Sequence, residues 1–119
     1  MYNKQLIGKN GETIACEFLK NNNYIILERN FRCRQGEIDI IAKDNSTCEL
    51  VFLEVKTRTN FKYGKPAESV NKLKKQHIYR AIEYYIYLNN IIELPIRIDV
   101  IEININDKKY KLNHIKQAF

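Results

Sequence analysis

Gly36-Glu37-Ile38-Asp39-Ile40-Ile41-Ala42-Lys43 and, beyond a polar break around Asn45-Ser46, Cys48-Glu49-Leu50-Val51-Phe52-Leu53-Glu54-Val55-Lys56-Thr57 decide how this chain reads. Both runs are rich in β-branched and aliphatic residues, and both are bounded by turn formers, the pattern of two strands joined as a hairpin. Successive strand side chains point to opposite faces. Glu54 and Lys56 therefore share one face, with Leu53 and Val55 on the other. The same rule puts Glu37 and Asp39 opposite Ile38 and Ile40. If the strands pair as neighbours, Asp39 and Glu54 meet on one side of the sheet. Two carboxylates there repel unless a cation lies between them. An acid-x-Lys on an isolated amphipathic strand is ordinarily a solvated pair worth little. The Gly-Glu-Ile-Asp segment at hairpin distance makes it a candidate site.

Working outward, apolar or small residues recur at Ile7, Gly11, Ile14, Ala15 and Phe18, one face of a helix. Asn21-Asn22-Asn23 ends that helix, since Asn favours turns and tolerates left-handed backbone. Glu12 falls on the border of the apolar stripe, where a carboxylate can point over the sheet and join Asp39 and Glu54. Gly8 and Gly11 are unfavourable inside a helix and so imply close approach of another backbone or a ligand. A strand is expected over Tyr24–Arg32. Past a loop with Gly64 and Pro66, a helix is expected over 67–89, with Val70, Leu73, Ala81, Tyr85 and Leu88 as its buried stripe. Pro95 blocks its continuation. Strands over Ile96–Ile105 and Tyr110–Ile115 complete an αβββαββ order, an α/β chain with a mixed sheet and helices packed on it.

The 119 residues make one domain, 1–119, with no room for a second core. A hydrophobic share of 45% and a charged share of 29% describe a globular chain, not a disordered one. No apolar run reaches the roughly 18 residues that span a bilayer, so no membrane partner is expected. Cys16, Cys33 and Cys48 are odd in number and lack Cys-x-x-Cys spacing, which reads as buried or incidental thiols in a reducing cytoplasm. The net charge of +6 favours an anionic partner. Between Glu54 and Arg80 stand Lys56, Arg58, Lys62, Lys65, Lys72, Lys74, Lys75 and Arg80 against only Glu54 and Glu68. Arg29, Arg32 and Arg34 form a second basic patch leading into the acidic strand.

Acids inside a basic setting suit phosphodiester chemistry, with carboxylates for a cation and Lys or Arg for phosphates. Hard oxygen ligands select Mg²⁺ or Mn²⁺, from Asp39, Glu54 and the Val55 carbonyl. Lys56 would orient the attacking water and offset developing charge.

Gly8-Lys9-Asn10-Gly11-Glu12-Thr13-Ile14-Ala15, Arg29-Asn30-Phe31-Arg32, Gly36-Glu37-Ile38-Asp39-Ile40-Ile41 and Val51-Phe52-Leu53-Glu54-Val55-Lys56-Thr57-Arg58 resemble the YraN-like bacterial proteins. The resemblance continues through Ser69-Val70, Lys74, Arg80-Ala81 and Arg97-Ile98-Asp99-Val100, and so spans nearly the whole chain. That family is related to the PD-(D/E)xK nuclease superfamily and is similar in fold to archaeal Holliday-junction resolvases. The resemblance implies a restriction-endonuclease-like sheet. It also implies catalytic roles for Glu12, Asp39, Glu54 and Lys56, with Glu12 in or near the metal's ligand set. Lys72-Leu73-Lys74-Lys75-Gln76-His77 departs from the family's usual Lys-Gln-rich run, leaving Gln76 without an assigned role, as is Asp99.

The expected function is metal-dependent endonucleolytic hydrolysis of DNA, branched or otherwise structured. Backbone contacts are expected from Arg29, Arg32, Arg34, Arg58, Lys62, Lys65, Lys74 and Lys75. Two readings compete with it: a non-catalytic nucleic-acid-binding module, and a homodimeric interaction domain built on the tyrosine-rich second helix.

Overall fold

The computed structural model describes residues 4–58, 72–107 and 109–119, with side chains from Gly11 onward. The elements run α1 (Lys4–Asn21), β1 (Tyr24–Cys33), β2 (Gly36–Asp44), β3 (Glu49–Arg58), α2 (Lys72–Leu88), β4 (Ile96–Asn106) and β5 (Lys109–Ile115). This is the expected αβββαββ order. Lys62, Lys65 and Val70, and the start of the second helix expected at 67, lie outside the described residues.

One five-stranded sheet has the spatial order β1-β2-β3-β4-β5. The first three strands form an antiparallel meander, β3 and β4 run parallel, and β5 returns antiparallel. The parallel pair sits centrally and is covered on both faces, which explains why β4 is buried almost throughout. Helix α1 lays Ala15, Cys16 and Leu19 against Ile40, Ala42, Val51, Leu53, Ile101 and Ile103. On the other face α2 brings Ile78, Ala81, Ile82 and Tyr85 onto Phe31, Ile38, Ile41, Leu50, Phe52 and Ile98.

The buried stripe of α2 differs from expectation. Ala81 and Tyr85 belong to it, but Ile78 and Ile82 take the remaining positions, while Leu73 is 61% and Leu88 49% exposed. Residues 78, 81, 82 and 85 follow the i, i+3, i+4, i+7 spacing of one face, and Leu73 falls on the far side of that helix. Asn23 follows α1 with φ 71°, the left-handed conformation expected of the asparagine run. Gly11 marks the crossing of α1 over β3. A Cβ there would lie 2.1 Å from the Thr57 hydroxyl and 3.2 Å from its Cβ, so only glycine allows this approach.

Candidate active site

The site forms where the β2–β3 ladder ends at Ile40↔Leu53. One step further along the two strands come Asp39 and Glu54. Strand alternation holds on β3: Leu53 and Val55 pack on the α1 side, and Glu54 faces α2, where Lys74 reaches it.

On β2 the alternation breaks, correcting the sequence reading. Ile38 joins the core under α2, whereas Ile40 joins the core under α1. The neighbouring strand switches at the same step. Arg29, paired with Ile40, reaches Glu12 and Thr13 of α1, while Phe31, paired with Ile38, packs on Tyr85 of α2. Asn30 between them has φ 54°, a left-handed residue inside a strand, and that local twist turns the ladder over. Asp39 therefore does not sit on a common face with Glu37 opposite both isoleucines. It stands at the turnover point, and its Oδ2 accepts the Val55 backbone N–H at 2.8 Å. The side chain continues the ladder where the backbone pairing stops.

Burial raises the Asp39 carboxyl to about 6, against the opposing effect of the Val55 N–H, with further upward push from Glu54, Glu12 and Glu37. Asp39 thus feels acids from both sides of the sheet. Glu12 itself is held by Arg29 at 3.7 Å. Glu54 Oε1 lies 3.4 Å from Lys56 Nζ and 2.5 Å from Lys74 Nζ, with the Glu54 side chain only 12% exposed. Burial lowers the Lys56 pKa, and Lys74 lowers it further despite Glu54. For Lys74 burial also opposes the charge, but the bonds to Glu54 and Lys56 and the fields of Glu54 and Asp39 raise its pKa overall.

Among the described residues no three His, Cys, Asp or Glu side chains are gathered as a metal-ligand set. The carboxylates of Asp39 and Glu54, one step past the end of the β2–β3 ladder, suit a hard divalent cation of the kind bound by one or two carboxylates plus substrate phosphates.

The basic residues fall into distinct settings. Lys74 belongs to the site itself. Lys75 lies over the Phe119 ring at 5.3 Å from its centroid. Arg32 is 75% exposed and pairs with Glu37 at 3.2 Å, and Arg34 is exposed. Arg29, its side chain 41% exposed, reaches across to α1, where it meets Glu12 at 3.7 Å and the Thr13 hydroxyl at 3.5 Å. Arg58 pairs across the strands with Asn104, and its Nε, like Asn104 Oδ1, is buried without a hydrogen-bond partner among the described residues.

A second polar group, at the opposite end of the sheet, was not read from the sequence. Arg97, 5% exposed, bonds Asp99 from Nε at 2.9 Å, Asp44 at 3.0 Å, Glu49 at 2.7 Å and the Tyr24 hydroxyl at 2.6 Å. Asp99, fully buried, also meets His114 Nε2 at 2.7 Å and accepts the Gln117 N–H at 3.0 Å. Burial alone would raise both aspartates. The bonds from His114, Arg97 and Gln117 outweigh it at Asp99, those from Ser46, Arg97 and Tyr24 outweigh it at Asp44, and both pKa values are lowered. A cavity of about 290 Å³ lies alongside, walled in part by Phe18, Tyr24, Asp44 and His114. Arg97 and Asp99 two apart on a strand were the available signal. Their partners lie up to 73 residues away, beyond the reach of local pattern.

Residues 11–103 match the family described as "Uncharacterised protein family UPF0102". The chain belongs to the UPF0102 family. It is 49% identical over 116 residues to a UPF0102 protein of Clostridium botulinum strain 657, covering 95% of this chain and 93% of that one. A UPF0102 protein of Caldicellulosiruptor saccharolyticus is 44% identical over 119 residues, covering 98% and 99%. Among solved structures, Pyrococcus furiosus SfsA in complex with Ca²⁺ aligns with 96% of this UPF0102 chain at 12% identity and a TM-score of 0.35. The chain spans 64% of that protein's length. No helix among the described residues is long and apolar enough to cross a membrane. The three cysteines are free, Cys16 buried and Cys48 exposed.

Proposed function

We propose that this UPF0102 protein is a metal-dependent DNA endonuclease with a restriction-endonuclease-like fold of the PD-(D/E)xK type. One observation carries the reading: Asp39 and Glu54 stand side by side where the β2–β3 ladder ends, with Lys56 against Glu54. Asp39 and Glu54, with the Val55 carbonyl, would hold Mg²⁺ or Mn²⁺. Such a cation supplies Lewis-acid polarisation of a phosphoryl oxygen and activation of water. Lys56, beside Glu54 on the same strand, holds and orients the attacking water and stabilises charge on the phosphoryl oxygens. The Val55 N–H fixes the Asp39 carboxylate in place. Arg32, Arg34 and the basic stretch after β3 meet flanking phosphates, and the net charge of +6 draws the polyanion in.

The test is incubation of purified protein with Mg²⁺ or Mn²⁺ and linear, flapped or four-way DNA, beside Asp39→Asn. Cleavage by the wild type is expected, and the variant should lose at least about a hundredfold in rate while still binding DNA. Equal trace cleavage by both proteins would mark the activity as a contaminant and leave a non-catalytic DNA-binding module as the better reading. DNA-independent dimers without nucleic-acid affinity would favour the interaction domain instead.

A further inference from the structure

A single oxygen of Glu54, Oε1, receives two ammonium groups, Lys74 Nζ from α2 at 2.5 Å and Lys56 Nζ from its own strand at 3.4 Å. With its side chain 12% exposed, this carboxylate has its charge balanced by those amines more than by water. In the metal-dependent reading, on which the following rests, the same carboxylate is one of the two that hold a divalent cation. An ammonium at 2.5 Å and a dication on one oxygen would repel strongly, so one must leave for the other to bind. The two lysines differ in how readily they can leave. Lys56 stems from the centre of the site with its side chain 14% exposed. Lys74 stems from the first turn of α2 and its side chain is 39% exposed, so its long chain has solvent to move into.

We propose that Lys74 is the resident counter-ion of the Glu54 carboxylate, displaced when a divalent cation binds and thereby released to meet a substrate phosphate. Without metal, the ammonium keeps a buried acid neutralised next to Asp39. With metal, the same amine becomes a phosphate anchor beside the reacting bond. Metal loading and grip on the DNA backbone are coupled through one side chain, and Lys74 is a positioning residue in this scheme.

Binding alone tests the proposal. Mn²⁺ is titrated into wild type, Lys74→Gln, Lys74→Arg and Asp39→Asn, reading free Mn²⁺ by its electron paramagnetic resonance signal. Lys74→Gln removes the competing charge while keeping a long polar chain, and should bind Mn²⁺ about three- to tenfold more tightly. Lys74→Arg restores a cation and should return close to wild type. Duplex DNA binding followed by fluorescence anisotropy should be alike for wild type and Lys74→Gln in EDTA, and weaker for the variant in Ca²⁺. Asp39-dependent Mn²⁺ binding that Lys74→Gln does not tighten would overturn the counter-ion role and leave the metal reading standing. So would an equal loss of DNA affinity in EDTA and in Ca²⁺. Wild-type protein that takes up no Mn²⁺ at millimolar concentration would overturn both.

Discussion

At Asp39 two demands oppose each other. The Val55 N–H favours the carboxylate, while burial and the fields of Glu54, Glu12 and Glu37 favour the acid and bring the pKa to about 6. A carboxyl raised from 3.8 in the folded chain binds its proton more tightly there than in the unfolded chain. Below the ordinary value both states are protonated and Asp39 costs nothing. As pH rises through 3.8 to about 6 the folded state loses ground, by about 3 kcal/mol in total. Asp39→Asn should therefore match wild type in stability near pH 3.5 and exceed it by up to about 3 kcal/mol at pH 8. Urea unfolding at the two pH values measures the difference. A variant less stable than wild type at pH 8 would mean that Asp39 supports the fold rather than straining it.

Elements follow from sequence pattern where a residue's neighbours in the chain are also its neighbours in space. The seven-element order, the left-handed asparagine after α1 and the Glu54/Lys56 face are of that kind. The face switch at Asp39 is not, because its cause sits on another strand, in the left-handed backbone of Asn30. Nor is the link of Lys74 to Glu54, since Lys74 lies in a locally ordinary basic run, Glu54 between the apolar Leu53 and Val55, and only the packing of α2 brings them together. The crossing of α1 over β3 was half legible: Gly11 announced a close approach, but not that Thr57 fills it. Gly11→Ala should destabilise the protein by about 1–3 kcal/mol through overpacking. Thr57→Ala in the same chain should recover part of that loss, because it removes the hydroxyl lying 2.1 Å from the added Cβ. Thermal melts of the two single variants and the double variant give the coupling. Additive losses would show that the contact is not what requires glycine.

Across the whole molecule Arg97 draws β1, β2, β3 and β4 together, and Asp99 extends the connection through His114 to β5. Arg97→Met would leave Asp44 and Asp99 buried without their cation, a loss of about 3–5 kcal/mol. The sign with pH follows from the lowered aspartate pKa values. Their contribution to wild type is present above 3.8 and is lost as pH falls below it. The deficit of Arg97→Met should therefore be largest at pH 7 and shrink toward pH 3, read by denaturant midpoints. A pH-independent deficit would assign the effect to lost packing instead.

Among the described residues the sheet ends in β1 on one side and β5 on the other, and the two meet a would-be neighbouring strand differently. On β1 the register shifts between Ile26 and Glu28, where Ile25 and Leu27 are each 48% exposed, so apolar side chains that would invite another chain sit on a bent, mismatched row of amides. On β5 the backbone runs regularly, and the exposed Lys109 and Lys111 supply the deterrent through like-charge repulsion. Shape guards one side against runaway strand-to-strand association and electrostatics guards the other. Concentrated salt screens the second defence and leaves the first untouched, so the β5 margin is where cross-molecular sheet growth would begin.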